Sequence, residues 1–337
     1  MNPAPRQRSA TLRYARTLAG VAGLCGMIIA LTVPAAWHER TEAIMGTEVR
    51  VELWADDATA ANQAIEAVMA EMHRIDQDMS PYKPESELSQ VNTRAASEAV
   101  RISRELFDLI KRSIWFSRRT GGAFDITFAS VGYLYDYRAY QHPTDAQIAD
   151  KLPGINYRHL ILDDKNTTIR FAREGTRIDL GGIAKGHAVD RCIALLMVRG
   201  IAHAIVTAGG DSRVIGDRRG RPWNVGIRDP RNRGKVIALV PLVDEAISTS
   251  GDYERYFVED GVRYHHILNP KTGKSATGVR SVSIIGKDAT TTDGLSTSVF
   301  VMGVKDGMAL VKRLQGIEAV IVDDRGRAYY SPGLKRH

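Results

Sequence analysis

Thr176-Arg-Ile-Asp-Leu-Gly-Gly-Ile-Ala-Lys-Gly-His-Ala-Val-Asp190 is the stretch on which the reading of the whole chain turns. Ile178 and Leu180 read as the end of an apolar strand that carries Asp179 into the double glycine Gly181-Gly182. Ala184, Ala188, Cys192 and Leu195 then fall at helical spacing, with Gly200 as the expected stop. Paired glycines at a strand-to-helix turn let another group approach the backbone, and free N–H groups at a helix start attract anions. Lys185 occupies the first helical turn, where the helix dipole disfavours a cation but a phosphate favours one. The stretch alone leaves two readings open: a tight turn with a solvated lysine, or one wall of an anion site.

Working outward, residues 42–54 alternate as a strand with Met45-Gly-Thr47 near its start. Residues 57–78 form an amphipathic helix, with Ala58, Ala61, Ile65, Val68, Met72 and Ile75 at three- and four-residue steps. A loop through Tyr82 leads to Ser86, which caps a short helix running to Asn92, and residues 103–119 read as another helix closed by Gly121-Gly122. Residues 159–163 and 167–171 look like a hairpin. On the other side, 204–206 is a strand that resumes at 214–216, and 223–227 is a further strand. Residues 253–258 and 262–268 pair over Asp260-Gly261, and 280–285 and 319–322 are the last strands. Between those two lie helices over 291–301 and 307–314. Long helices mixed with hairpins predict a single α+β domain, a mixed and largely antiparallel sheet with packed helices, over residues 37–337.

Residues 1–36 read separately. Arg6, Arg8, Arg13 and Arg16 precede an apolar run over 18–36, as in an export signal or an N-terminal membrane anchor. The expected location is outside the cytoplasmic membrane, in the periplasm, with inner-membrane association open. The net charge of +7 owes four units to those arginines; elsewhere 42 bases face 39 acids, too even a balance to predict nucleic-acid binding. Past this segment only Cys192 remains, so neither a disulfide framework nor a thiolate metal site is expected.

Four further clusters combine glycine, hydroxyls and acids: 121–125, 208–211, 248–253 with His265-His266, and 290–297. Asp293 and Thr297 are four apart on a predicted helix and share a face. A carboxylate, a hydroxyl and a backbone carbonyl make a sparse all-oxygen site of the kind Mg²⁺ accepts, although Asp293 as a helix cap reads equally simply. His265-His266 is a candidate general-base pair, with His266 the candidate to deprotonate an attacking hydroxyl, and Asp211 either holds a turn or acts directly. Tyr82 and the tyrosines at 133, 135 and 137 are either core or a surface on which a flavin or adenine ring would stack. There is no Walker loop, no dinucleotide fingerprint, no zinc helix and no nucleophile elbow.

Taken in order, the clusters resemble the FAD:protein FMN transferase (ApbE) family. The resemblance covers Met45-Gly-Thr47, Ser80-Pro-Tyr82, Ser86-Glu-Leu88, Asn92, Gly121-Gly-Ala-Phe-Asp125, Asp179-Leu-Gly-Gly-Ile-Ala-Lys-Gly186 and Ala208-Gly-Gly-Asp211. It continues through Thr249-Ser-Gly-Asp-Tyr253, His265-His-Ile267 and Asp293 to Thr297. The resemblance implies that Met45, Tyr82, Ala123, Phe124, Asp125, Asp179, Lys185 and Ile267 line an FAD site. It also implies that Gly182, Asp293 and Thr297 hold Mg²⁺. The implied activity is transfer of FMN from FAD to a threonine of an exported or membrane redox protein, with AMP released. FAD hydrolysis to FMN and AMP, or simple flavin carriage, are the alternatives. Two positions depart from the family pattern: Asn269 where an aspartate is expected, and Ile126 in place of a common proline.

Overall fold

The computed structural model describes residues 36–336. The expected leader lies outside the described residues except for Ala36, which opens the first strand. Strands β1 (Ala36–Ile44) and β2 (Thr47–Ala55) are followed by helix α1 (Ala58–Met79), α2 (Glu87–Arg94), the short β3 (Val100–Arg101) and α3 (Arg104–Arg119). Next come α4 (Ala129–Gly132), α5 (Asp145–Lys151), β4 (Leu160–Asp163), β5 (Thr168–Phe171), α6 (Ala184–Val198), β6 (Ala204–Ala208) and β7 (Asp211–Ile215). The hairpin β8 (Trp223–Asp229) and β9 (Asn232–Leu242) precedes β10 (Ala246–Gly251). A second hairpin, β11 (Tyr256–Glu259) and β12 (Val262–His265), is followed by the short β13 (Leu268–Asn269) and β14 (Lys274–Ser275). The chain closes with β15 (Val279–Gly286), α7 (Ala289–Val311), β16 (Glu318–Asp323) and β17 (Ala328–Tyr330).

The main sheet has eight strands in the order β1-β2-β6-β7-β10-β15-β16-β17, every neighbouring pair antiparallel. Helices α1, α6 and α7 pack on one face, where Val49, Val51, Leu53, Val206, Val282 and Ile284 join Ile65, Val189 and Val299 in the large core. The β8–β9 hairpin covers the other face, setting Trp223, Ile227, Val240 and Leu242 against Val214, Ile247, Ile285 and Val320. The α+β expectation is met, and the period-two alternation of these strands divides their side chains between two cores.

Local chemistry explains the helix starts. Asp57, Ser86 and Ser103 each accept a hydrogen bond from a backbone N–H in the first turn of α1, α2 and α3. The single strand expected over 42–54 is in fact two. Met45 (φ 55°) and Gly46 (φ 69°) form a two-residue left-handed turn that pairs Ile44 with Thr47. The alternating pattern runs straight through this turn, which hides it. Likewise 214–216 does not resume β6. The chain reverses at Gly209-Gly210, and Ala208 pairs with Asp211. Residues 291–301 and 307–314 are joined in α7, which breaks at Gly303 (φ 79°, ψ 177°). Strands β9, β10 and β17 were not foreseen.

The decisive stretch also differs from expectation. Residues 176–180 are extended but have no strand partner. Instead the Asn92 side chain does the work of a neighbouring strand: its Nδ2 donates to the Ile178 carbonyl (2.9 Å) and its Oδ1 accepts from the Ile178 N–H (2.7 Å). Asp179 N–H donates to the Ile126 carbonyl at 2.9 Å. Ile178 is fully buried. Asn92→Ala is therefore expected to destabilise the protein by about 1–3 kcal/mol for each backbone group left unpaired, read by denaturant unfolding.

Candidate active site

The turns and helix ends at one end of the sheet meet around Lys185. Its Nζ lies 2.9 Å from Asp211 Oδ2 and 3.6 Å from Asp293 Oδ2, and it donates to the Gly181 carbonyl at 3.4 Å. Both carboxylates are 2% exposed. Lys185 is thus neither a solvated lysine nor an uncommitted phosphate clamp; it is the counter-ion of two buried acids. Burial opposes its charge, but Asp211 and then Asp293 outweigh that and hold the ammonium above the usual lysine range. Burial and the charge of Asp211 push the Asp293 carboxyl up to about 7, against the pull of Lys185. With both carboxylates ionised, two negative charges face one ammonium, and the raised Asp293 pKa is the cation-free protein's way of relieving that surplus with a proton.

Helix α6 has Ile183 at its N-cap and so lacks a side-chain cap, and its Gly186 N–H is taken by Asp293 Oδ2 at 3.0 Å. Asp293 does not cap its own helix; Asp288 does, accepting from Thr291 N–H. The cap reading of Asp293 therefore fails. A Cβ on Gly182 would stand 3.2 Å from both Thr297 Oγ1 and the Phe124 ring, so Gly182 brings bare backbone against that hydroxyl. Thr297 is also 3.2 Å from Ser250 Oγ, which pairs with Ser296 at 2.8 Å. One turn earlier on α7, Thr292 pairs with Ser248 at 2.7 Å. The first four residues of the hydroxyl-rich cluster, 248–251, thus belong to a strand fastened to α7, and Ser250 joins the site unforeseen.

The remaining candidates divide. Phe124 (3% exposed) packs edge-tilted on Phe116 and supports Gly182, with Ala123 buried beside it. The Asp125 carboxylate is committed: Oδ1 accepts from Thr127 N–H (2.9 Å) and hydroxyl (2.6 Å), and Oδ2 from Tyr157 N–H (2.8 Å). It anchors a loop between Thr127 and Tyr157. Asp179 Oδ1 accepts from Gly181 N–H at 2.6 Å and tightens the glycine turn; burial raises its pKa, with that N–H and Arg255 opposing. Met45 is half-buried at its turn, and the Gly46 carbonyl there accepts from Arg255 Nη2 at 3.4 Å. Tyr82 is 81% exposed, a free aromatic face on the rim, whereas Tyr135 is buried and bonds the Gly273 carbonyl.

The two histidines separate cleanly. His265 is buried, its Nε2 2.8 Å from the Ala276 carbonyl and its Nδ1 accepting from Ile267 N–H, so it shapes the turn that places Ile267. His266 N–H donates to the Arg255 carbonyl, but its buried Nδ1 has no partner. Burial, then Arg255, lowers its pKa to about 3, leaving a neutral ring. Asn269 fills a turn role, its Oδ1 accepting from Lys271 N–H, and Ile126 supplies the carbonyl that holds Asp179.

A glycine carbonyl, a carboxylate and two hydroxyls are hard oxygen ligands, and the anionic surplus at Asp211 and Asp293 calls for one more positive charge. Among the described residues no group of three or more His, Cys, Asp or Glu side chains forms a metal cage. Gly182, Asp293 and Thr297 instead present hard oxygens of the kind Mg²⁺ accepts, from backbone and side chains together.

Fold and site together define an α+β protein with an anionic, oxygen-lined cradle between two helix starts. The chain matches the ApbE family over residues 45–321. It is 33% identical over 317 residues to the FAD:protein FMN transferase of Treponema pallidum, covering 88% of this chain and 87% of that protein. A crystal structure of the ApbE protein from Thermotoga maritima is 38% identical with a TM-score of 0.83, covering 89% of this chain and 98% of that one. The flavin transferase ApbE from Vibrio cholerae is 30% identical with a TM-score of 0.80, covering 90% and 99%. The chain belongs to the ApbE family, and it is an enzyme.

Proposed function

We propose that this protein is an Mg²⁺-dependent FAD:protein FMN transferase that moves FMN from FAD onto a threonine hydroxyl of an exported or membrane redox protein and releases AMP. The convergence of Gly182, Asp293 and Thr297 beside Lys185 carries the reading. Gly182 carbonyl, Asp293 and Thr297 would hold the cation. When bound, Mg²⁺ would draw charge from the diphosphate and ease departure of the leaving oxygen. The family and its transferase relatives support FAD as the substrate, and the arginine-led apolar run before residue 37 supports export to the periplasm.

The acceptor oxygen attacks the FMN-side phosphorus. A new P–O bond forms, the bond to the bridging oxygen breaks, and AMP leaves with that oxygen. The hydroxyl proton passes to His266 Nδ1, which has no hydrogen-bond partner and belongs to a neutral ring. An anionic diphosphate alongside would raise the basicity of that ring as the substrate binds. Lys185 keeps a fixed positive charge at the cradle, and Tyr82 offers a flat apolar face to a flavin or adenine ring.

Purified protein incubated with FAD, Mg²⁺ and a candidate acceptor is expected to leave a fluorescent flavin band on the acceptor after denaturing electrophoresis. Free FMN and AMP without labelling would indicate hydrolysis, and unchanged bound FAD would indicate carriage. Because His266 is neutral in the free enzyme, kcat/KM should show no histidine limb between about pH 5 and about pH 8. A limb near 6.5 that disappears in His266→Gln would exclude this residue as the low-pKa base.

A further inference from the structure

We infer that Asp190 is a positioning residue for the cation cradle, one carboxylate that fixes α6, β7 and α7 to one another. These three elements carry Lys185, Asp211 and the Asp293–Thr297 pair respectively. The inference rests on the cation reading above.

Asp190 lies on α6, five residues beyond Lys185. Its Oδ1 accepts from Arg213 Nη1 at 2.7 Å and from Ala289 N–H at 2.9 Å. Its Oδ2 accepts from Thr290 N–H at 2.8 Å and from the Thr290 hydroxyl at 2.5 Å. Arg213 stands two residues after Asp211 on β7, and Ala289 and Thr290 open α7 just ahead of Asp293. One side chain therefore binds the element behind each charged member of the cradle.

Helix α7 does not need these bonds in order to start. Asp288 already caps it, accepting from Thr291 N–H and hydroxyl at 2.8 Å each. What Asp190 adds is placement of α7 against α6. The two helices meet almost backbone to backbone, since a Cβ on Gly186 would fall 2.2 Å from the Ala289 carbonyl oxygen. Asp190 ties the two helices together beside that contact, through the Ala289 and Thr290 N–H groups at the start of α7. A negative group at that N-terminus is also favoured by the α7 dipole. Loss of that tie would turn Asp293 and Thr297 away from Gly182 without unmaking either helix.

The test is Mg²⁺ titration of the full chain, followed by quenching of FAD fluorescence on binding and, separately, by acceptor labelling. Asp190→Asn is expected to raise the Mg²⁺ midpoint in both assays by about tenfold or more, with FAD affinity at saturating Mg²⁺ nearly unchanged. Asp57→Ala, which removes the distant cap of α1, serves as the comparator and should lower the melting temperature while leaving the Mg²⁺ midpoint in place. Should Asp190→Asn fail to fold, Thr290→Val removes only the hydroxyl bond and should shift the midpoint in the same direction by less. An unchanged midpoint in these variants, beside a wild type that requires Mg²⁺, would overturn the role of Asp190 alone. A wild type indifferent to Mg²⁺ would overturn the cation reading and this inference together.

Discussion

Replacement of Asp293 by alanine is expected to lower FMN transfer by about a thousandfold or more while leaving the fold intact. A group that stabilises developing charge in a dry site is worth several kcal/mol at the transition state, and each ~1.4 kcal/mol is tenfold in rate. The fold should survive because this carboxylate is a burden in the cation-free protein. It is buried beside Asp211, and its pKa is pushed up to about 7, well above the value of roughly 3.9 in an unfolded chain. Between those values the native state keeps a proton that the unfolded state has released, so stability falls as pH rises through that window. Asp293→Asn should therefore be more thermostable than wild type at about pH 8 without Mg²⁺, with little difference near pH 4. Added Mg²⁺ should raise the melting temperature of wild type and not of the variant. Full labelling by Asp293→Ala would remove this residue from the metal site.

The parts of the fold governed by local rules were legible in the sequence. Ser86 announces its helix through its cap, and the apolar stripe from Ala61 to Ile75 is buried as its spacing requires. Asp293 and Thr297 share a helix face because four residues make one turn. What stayed hidden depends on partners remote in sequence. The extended segment at Ile178 looks like a strand because it is buried and apolar, but its hydrogen bonds go to Asn92, 86 residues away. Strand β10 reads as a polar loop because Ser248 and Ser250 turn hydroxyls, not methyl groups, toward α7. The Lys185–Asp211 pair has no spacing to betray it, since it spans a helix, a strand and a glycine turn. Nor does the motif around Asp125 disclose that both oxygens of this carboxylate hold a loop in place.

The second large effect follows from the closeness of α6 and α7. Gly186→Ala would ordinarily stabilise a helix interior by roughly 1 kcal/mol, because alanine is the better helix former. Here the added Cβ would lie 2.2 Å from the Ala289 carbonyl oxygen and 2.7 Å from both the Ala289 carbonyl carbon and Asp293 Cβ. Two of those atoms are backbone and cannot swing aside, so the helices must part. Overpacking of that kind costs about 1–3 kcal/mol and sometimes more, which outweighs the propensity gain. The separation also breaks the Gly186 N–H bond to Asp293 Oδ2 and draws that carboxylate off its place, where an error of about 1 Å costs on the order of a hundredfold in rate. Gly182→Ala is the informative contrast. Its Cβ would meet only side-chain atoms, Thr297 Oγ1 and the Phe124 ring at 3.2 Å, so it should lose much less stability while still crowding the hydroxyl in the cradle. Denaturant unfolding and acceptor labelling of the pair separate the two effects. Gly186→Ala with a wild-type midpoint and a wild-type rate would mean that the helices do not need this contact to hold the site together.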